Sequence, residues 1–346
     1  MPATMEAAVL ADVGTLALEE RPLPTLARPD DVLLEIECCG ICGTDLHILS
    51  VPPGHPASVG VVLGHEMVGI VQEVGDSVAS LRPGDRVVVA ANTYCGQCVW
   101  CRRGLVNHCE SFSTYGIFED GGLARNVVVS AQSCFTISHD LPRHVAALAE
   151  PLSSVVNGAR LADVFPGDTA VVLGAGPIGL MFTALLKAGG ATVLSVEPAE
   201  LRAAVARAIG AEAVVRPQEA DPMRAAMELT DGLGADVVVD AVGSQLPNAL
   251  ELVRKGGRVV LFGINEQARA EVAQSRITRN ELTVLGGYVG LREEVFPTAV
   301  RLLEQGSIDL EPLVTHRIGL AELPGALEEL RAGRAVKVEV EFSGAG

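Results

Sequence analysis

The sequence predicts a two-domain α/β chain, a β-rich domain joined to a doubly wound parallel sheet with helices on both faces. Three observations carry this. The length, 346 residues, corresponds to about two domains at ~150 residues each. In the first part of the chain, short β-type runs are separated by Gly- and Pro-rich turns. From Leu152 onward, apolar strands alternate with Ala/Leu-rich helices, the texture of a parallel sheet.

In the first domain, Val32-Leu33-Leu34-Glu35-Ile36 and Val87-Val88-Val89 read as strands, and Arg82-Pro83-Gly84-Asp85 and Asp120-Gly121-Gly122 as turns. In the second, strands are expected at 169–173, 192–196, 237–239, 258–262 and 282–285, and helices at 178–188 and 199–209. From Glu293 the pattern becomes helix plus loop, then a last strand at 335–342. That tail does not continue the alternation, so residues 1–153 and 291–346 are assigned to one domain and 154–290 to the other.

Composition limits the function. Hydrophobic residues make up 49% of the chain, enough for sizeable cores. Acidic residues outnumber basic ones 43 to 26, for a formal charge of −17. Phosphate binding needs clustered Lys and Arg, so no nucleic-acid partner is expected. No stretch reaches the ~18 uncharged apolar residues of a membrane span, and no membrane partner is expected. The start, Met1-Pro2-Ala3-Thr4-Met5-Glu6, lacks the basic segment and apolar core of a signal peptide. A cytoplasmic protein is the expectation.

Gly174-Ala175-Gly176-Pro177-Ile178-Gly179 follows an expected strand and opens an expected helix. Gly174 permits the tight turn, Gly176 lets backbone approach a pyrophosphate, and Gly179 lets the helix pack on the strand. The helix N-terminus offers free N–H groups to phosphates, and Pro177 suits its first turn. Glu197, at the end of the next strand, suits an adenosine ribose and repels a 2′-phosphate. The reading is a Rossmann domain binding NAD rather than NADP. Arg202, five residues on, either shifts that preference or covers the adenine.

Of eight cysteines, four form Cys95-x2-Cys98-x2-Cys101-x7-Cys109. Four thiolates in one lobe match a closed, structural zinc site. An iron–sulfur cluster uses the same ligand type, while a redox pair fits poorly with four equally usable thiols. A second, scattered set comprises Cys42, His65, Glu66 and Glu150. One Cys, one His and one or two carboxylates hold zinc while leaving a position open, but spacing alone does not join these residues. Cys38, Cys39 and Cys134 read as small buried residues or free thiols, and His108 as a neighbour of the lobe rather than a ligand.

At this point the sequence resembles the zinc-containing medium-chain alcohol dehydrogenases, in the branch of sorbitol, threonine and butanediol dehydrogenases. The resemblance rests on Gly40-Ile41-Cys42-Gly43-Thr44-Asp45-Leu46-His47, Gly64-His65-Glu66, the four-Cys lobe, Asp120-Gly121-Gly122, the glycine turn and Leu313-Val314-Thr315-His316-Arg317. It implies a GroES-like catalytic domain beside the Rossmann domain, with two zinc ions per chain, one catalytic and one structural. The catalytic ion would be held by Cys42, His65 and Glu66, with Glu150 exchangeable or additional. In some relatives the residue at Glu66 only supports the site. Glu150, where primary-alcohol enzymes carry Cys, points to the polyol branch.

Thr44 and His47 match the family's proton-relay positions, from the substrate hydroxyl through Thr44 and the nicotinamide ribose to His47 and solvent. Ile178, Glu197, Arg202, Phe262, Gly263, Ile264, Gly287 and Tyr288 match positions that lie against NAD. The implied activity is hydride transfer between a secondary alcohol and NAD, giving a ketone. A homodimer or homotetramer is implied, and the run 283–288 is compatible with edge-strand pairing. Two departures stand out. Asn92-Thr93-Tyr94 replaces the His usual in threonine dehydrogenases, and Gly287-Tyr288-Val289-Gly290-Leu291-Arg292 replaces the Arg-Tyr loop of sorbitol dehydrogenases. An amino-sugar or cyclitol dehydrogenase is the alternative enzyme, and a non-catalytic NAD- and zinc-binding protein the alternative of another class.

Overall fold

The computed structural model describes residues 3–290 and 294–342. Leu291 and Arg292 of the departing loop, and the expected start of the tail at Glu293, lie outside these residues. The chain divides into two compact units. One comprises Met1–Pro151, Leu291–Gln305 and Val314–Gly346, and the other Leu152–Gly290 and Gly306–Leu313. The division differs from the expected one chiefly at Gly306–Leu313. There Ile308, Leu310 and Leu313 are buried, and the turn Glu311–Leu313 packs on helix Glu200–Ala208 of the second unit.

The first unit is built on a seven-stranded sheet and a separate hairpin of Thr4–Asp12 with Thr15–Pro22. The sheet runs Val314–Ile318, Lys337–Glu341, Asp31–Gly40, Glu66–Val74, Arg86–Val89, Cys134–Thr136, with Asn126–Ser130 paired to Asp31–Gly40. Strand Val314–Ile318 was not expected: only a last strand was read in the tail. Its polar run Thr315-His316-Arg317 lacks an apolar signature, and its parallel pairing with Lys337–Glu341 is a long-range choice.

Strand Asp31–Gly40 is central to the site. Its last residue, Gly40, pairs with Glu66 on one side and Glu339 on the other. That register brings the segment after Gly40, carrying Cys42, beside the His65-Glu66 pair. A Cβ at Gly40 would lie 2.1 Å from Glu66 Oε2, so a side chain there would push the carboxylate out of its present position.

The second unit is a six-stranded, all-parallel sheet ordered Ala213–Val215, Thr192–Val196, Thr169–Leu173, Ala235–Asp240, Val253–Leu261, Thr283–Gly286. The order reverses direction beside Thr169–Leu173, the place where such sheets bind ligands at their carboxyl ends. Thr169–Leu173 is buried throughout, as a strand covered on both faces must be. Helix Pro177–Ala188 buries Phe182 completely, and Phe182 meets Phe262 edge-on with ring centres 5.0 Å apart. Phe182→Ala is expected to destabilise the fold by about 3–5 kcal/mol, read by chemical denaturation.

Candidate active site and metal centres

Cys42 caps the N-terminus of the short helix Gly43–Ile48, and His65 and Glu66 enter strand Glu66–Val74. Their ligand atoms lie within 4.8 Å of one another. His65 and Glu66 are buried, and Cys42 is half-buried. A thiol, an imidazole and a carboxylate in that volume form a donor set for a divalent ion with borderline-soft preference. Glu66 Oε1 has no hydrogen-bond partner among the described residues. A buried polar atom left in this way is costly unless something else binds it, and a metal ion fits. Glu150, at the start of helix Ala149–Ala162, stands outside this three-residue group. It is still near enough to raise the pKa of His65.

Two residues that sequence reading passed over complete the surroundings. Asp45, buried, accepts the Cys42 backbone N–H at 2.8 Å with Oδ2, and its Oδ1 faces His65 Nδ1 at 3.8 Å. It ties down the Cys42 backbone and turns its other oxygen toward His65, the side from which outer carboxylates orient metal-binding histidines. Its signal was its place inside the Cys42–His47 motif. Lys337, also buried, is ion-paired with Glu66 Oε2 and donates to Ile41 O at 3.0 Å. No local signal marks it, because it arrives on the last strand.

Charge is concentrated here. Burial opposes the His65 imidazolium, but the Cys42 thiolate and Asp45 outweigh it and push its pKa well up. Burial also pushes the Glu150 carboxyl up to about 7, with the His65 imidazole opposing. Thr44 Oγ1 lies 3.6 Å from Cys42 Sγ, and His47 is exposed three residues along the same helix. Residues at that spacing share a helix face.

The four lobe cysteines also converge. Cys98 Sγ is 3.5 Å from Cys101 Sγ and 4.0 Å from Cys109 Sγ, and Cys109 Sγ is 3.5 Å from Cys95 Sγ. Thiolates around one tetrahedral zinc at ~2.3 Å sit about 3.8 Å apart, whereas a disulfide needs ~2.0 Å. A multi-iron cluster would spread its cysteines around several metal atoms, so the geometry suits a single ion. Backbone N–H groups of Cys95, Cys98 and Ser111 donate to these sulfurs at 3.3 Å. Such bonds from Cys101 and Glu110 bring the Cys98 thiol down to about 6. Desolvation and the neighbouring thiols push Cys101 up to about 12, a conflict that a cation resolves. Gly96, at φ +70°, makes the turn between Cys95 and Cys98.

In the second unit the glycine turn separates three requirements. Gly174 has φ +93°, and a Cβ at Gly179 would fall 1.9 Å from Gly174 O. A Cβ at Gly176 would meet nothing within 4 Å. Open space in front of Gly176, at an uncapped helix N-terminus, is what a pyrophosphate requires. Glu197 accepts the Ala175 N–H at 2.7 Å and the Ala199 N–H at 2.8 Å, so it also fastens the turn to the neighbouring strand end. A carboxylate has about four acceptor sites, so each oxygen keeps capacity for ribose hydroxyls.

Half-buried Ile178 lies in the first turn of the helix, and Arg202 Nε is buried with no hydrogen-bond partner among the described residues. Phe262, Gly263 and Ile264 follow strand Val253–Leu261, and Gly287 and Tyr288 follow Thr283–Gly286. These residues lie past the carboxyl ends of parallel strands. Phe262 packs inward on Phe182, while Ile264 and Tyr288 are exposed. Asp240, not anticipated, accepts the N–H groups of Val242, Gly243 and Gln245 and shapes the adjoining loop.

Residues 28–139 match the family model of the alcohol dehydrogenase GroES-like domain, and residues 177–305 that of the zinc-binding dehydrogenases. An L-threonine 3-dehydrogenase of Pyrococcus abyssi is 35% identical over 90% of both chains. A sorbitol dehydrogenase of Halalkalibacterium halodurans is 32% identical over 96% of this chain and 98% of its own. Among solved structures, a zinc-binding dehydrogenase of Sinorhizobium meliloti bound to NADP superposes with a TM-score of 0.92. It is 34% identical and covers 98% of this chain and all of its own.

Two outcomes follow for metal binding. Elemental analysis should find two zinc ions per chain, reduced to one by Cys98→Ser. A carboxylate beside the donor group favours a cation only when ionised, so zinc affinity of chelator-stripped protein should rise with pH through the window around the raised Glu150 pKa. Competition titrations should give about tenfold per pH unit for each proton released, with a shallower slope in Glu150→Gln.

Proposed function

The chain belongs to the zinc-dependent medium-chain alcohol dehydrogenases, and from that membership we propose that it oxidises a secondary alcohol of the polyol, diol or sugar-alcohol class to a ketone. Bound NAD would supply the hydride acceptor, and the oxidation would release one proton. The observation that carries the reading is the convergence of Cys42, His65 and Glu66 within 4.8 Å, with Thr44 and His47 on the helix that Cys42 caps.

Cys42, His65 and Glu66 would hold the catalytic zinc, with Glu150 as an exchangeable or additional ligand. Cys95, Cys98, Cys101 and Cys109 hold the structural zinc. Bound at the first site, zinc supplies a Lewis acid that lowers the pKa of an alcohol hydroxyl. Asp45 keeps Cys42 and His65 oriented, so the donors are in place before substrate arrives. The Thr44 hydroxyl accepts the substrate's proton while donating its own toward a hydroxyl of the nicotinamide ribose. His47, exposed to solvent, takes the proton onward. The residues at Gly174–Gly179, Glu197, Arg202, Phe262–Ile264, Gly287 and Tyr288 hold the dinucleotide. Glu197 favours NAD, because a carboxylate beside the ribose repels a 2′-phosphate.

Thr283–Gly286 lies at one edge of its sheet, with backbone groups available to a second copy, which supports a homodimer or homotetramer. All eight cysteines are free, and sets of metal-binding thiolates persist in a reducing compartment, which supports a cytoplasmic location.

Turnover of NAD against a panel of polyols, vicinal diols, cyclitols, aminocyclitols and L-threonine, with NADP in parallel, tests the substrate class. Turnover confined to cyclitols or aminocyclitols would replace the polyol reading. Absence of any turnover in protein that carries a single zinc would replace the enzyme. Thr44→Val should lower kcat by at least about 100-fold with zinc content unchanged. His47→Gln should slow alcohol oxidation about tenfold at pH 7 and less at pH 9, where hydroxide takes the proton.

A further inference from the structure

We propose that Lys337 is a positioning residue for the catalytic metal. It keeps one oxygen of Glu66 for itself and so makes Glu66 a one-oxygen donor that a substrate hydroxyl can displace. The inference rests on the reading of Cys42, His65 and Glu66 as the zinc site.

Lys337 and Glu66 are both buried to within 1% of complete, and Glu339 is buried on the same strand two residues on. Removing an ammonium from water is expensive, so its partners must be fixed and close. They are fixed by the sheet. Gly40 pairs with both Glu66 and Glu339, and the Ile41 N–H donates to Val338 O at 2.9 Å. Lys337 therefore projects at the level of Ile41, whose carbonyl it binds at 3.0 Å, and reaches Glu66 Oε2. Alternate residues of a strand share a face, which puts Glu339 on the side of Lys337. The bare backbone of Gly40 leaves room for the Glu66 carboxylate to turn toward the lysine.

The two oxygens of Glu66 are thus unequal. Oε2 belongs to Lys337. Oε1 has no hydrogen-bond partner among the described residues, and the carboxylate it belongs to lies in the group with Cys42 and His65. A carboxylate free on both sides would bind a zinc ion through two oxygens and resist displacement. One shared with an ammonium gives up charge and one attachment point. The arrangement also balances charge, since the thiolate and carboxylates crowded around Cys42 exceed what a divalent ion neutralises.

Cobalt(II) in place of zinc reports coordination directly. The contribution of the catalytic site is isolated as the difference between spectra with and without Cys42→Ser, which removes the four-Cys lobe from the signal. In Lys337→Met, Glu66 is expected to engage the metal through both oxygens. The visible d–d absorption then weakens as coordination number rises. KM rises about 10-fold while kcat changes less, the range typical of partners behind metal ligands. Lys337→Arg restores both, and Glu66→Gln/Lys337→Met restores the spectrum.

An unchanged cobalt spectrum in Lys337→Met, or a change that persists in the double variant, overturns the proposal. If Lys337→Met does not fold, the double variant, in which the buried carboxylate is also neutral, is compared with Glu66→Gln alone. Coincident spectra support the proposal, and different ones overturn it. Failure of the underlying zinc-site reading looks different, because the parent protein would then show no Cys42-dependent cobalt band at all.

Discussion

Strand Asp31–Gly40 ends on a glycine that pairs with Glu66 on one side and Glu339 on the other. The metal site depends on that register. A slip of one residue would turn every side chain of the strand to the opposite face, separating Cys42 from His65 and Glu66. Gly40 secures the close approach, since any side chain there would collide with the Glu66 carboxylate. The buried Lys337–Glu66 pair adds a second constraint. Lys337 reaches its partners only when the final strand docks in place, so the last part of the chain completes a site begun near residue 40. Breaking such a buried pair leaves an uncompensated charge, which makes the docking of that strand close to all-or-none.

The two candidate metal centres meet different demands with related chemistry. The lobe gathers four sulfurs within 4.8 Å of one another from a stretch of fifteen residues, Cys95 to Cys109, so local turns and backbone N–H groups suffice. Four thiolates leave no open position, which suits an ion that holds a loop together. The other centre draws on segments distant in sequence, mixes donor types and keeps carboxylates with perturbed protonation near the metal. Such a donor set suits an ion that exchanges ligands, and the surrounding acids and Lys337 stand where they would tune that exchange.

The dinucleotide unit uses backbone more than side chains. Gly174, Gly176 and Gly179 meet three separate steric demands, and only Gly176 faces open space. Glu197 was expected to face a ribose. In the folded chain its carboxylate also accepts the N–H groups of Ala175 and Ala199, so the residue suited to select the cofactor also braces the turn that receives its phosphates. Substitution at Glu197 therefore acts on loop geometry as well as on cofactor choice.

The sequence by itself was enough for the two kinds of domain, five of the six parallel strands of the second (the short edge strand Ala213–Val215 was not read), the glycine turn and the four-Cys lobe. Each is encoded locally, by apolar periodicity or by short spacing between like residues. Cys42, the adjacent His65-Glu66 pair and Glu150 could be joined only through family resemblance, because no local rule links segments 23 to 108 positions apart. Tertiary structure alone decided the rest. It added strand Val314–Ile318, whose polar residues carry no strand signature, and moved Gly306–Leu313 into the second unit. It left Glu150 outside the three-residue donor group, brought Asp45 to His65, and placed Lys337 on Glu66. These depend on which strands pair and in what register, and pairing energy is shared between distant segments, so neither segment's own sequence contains it.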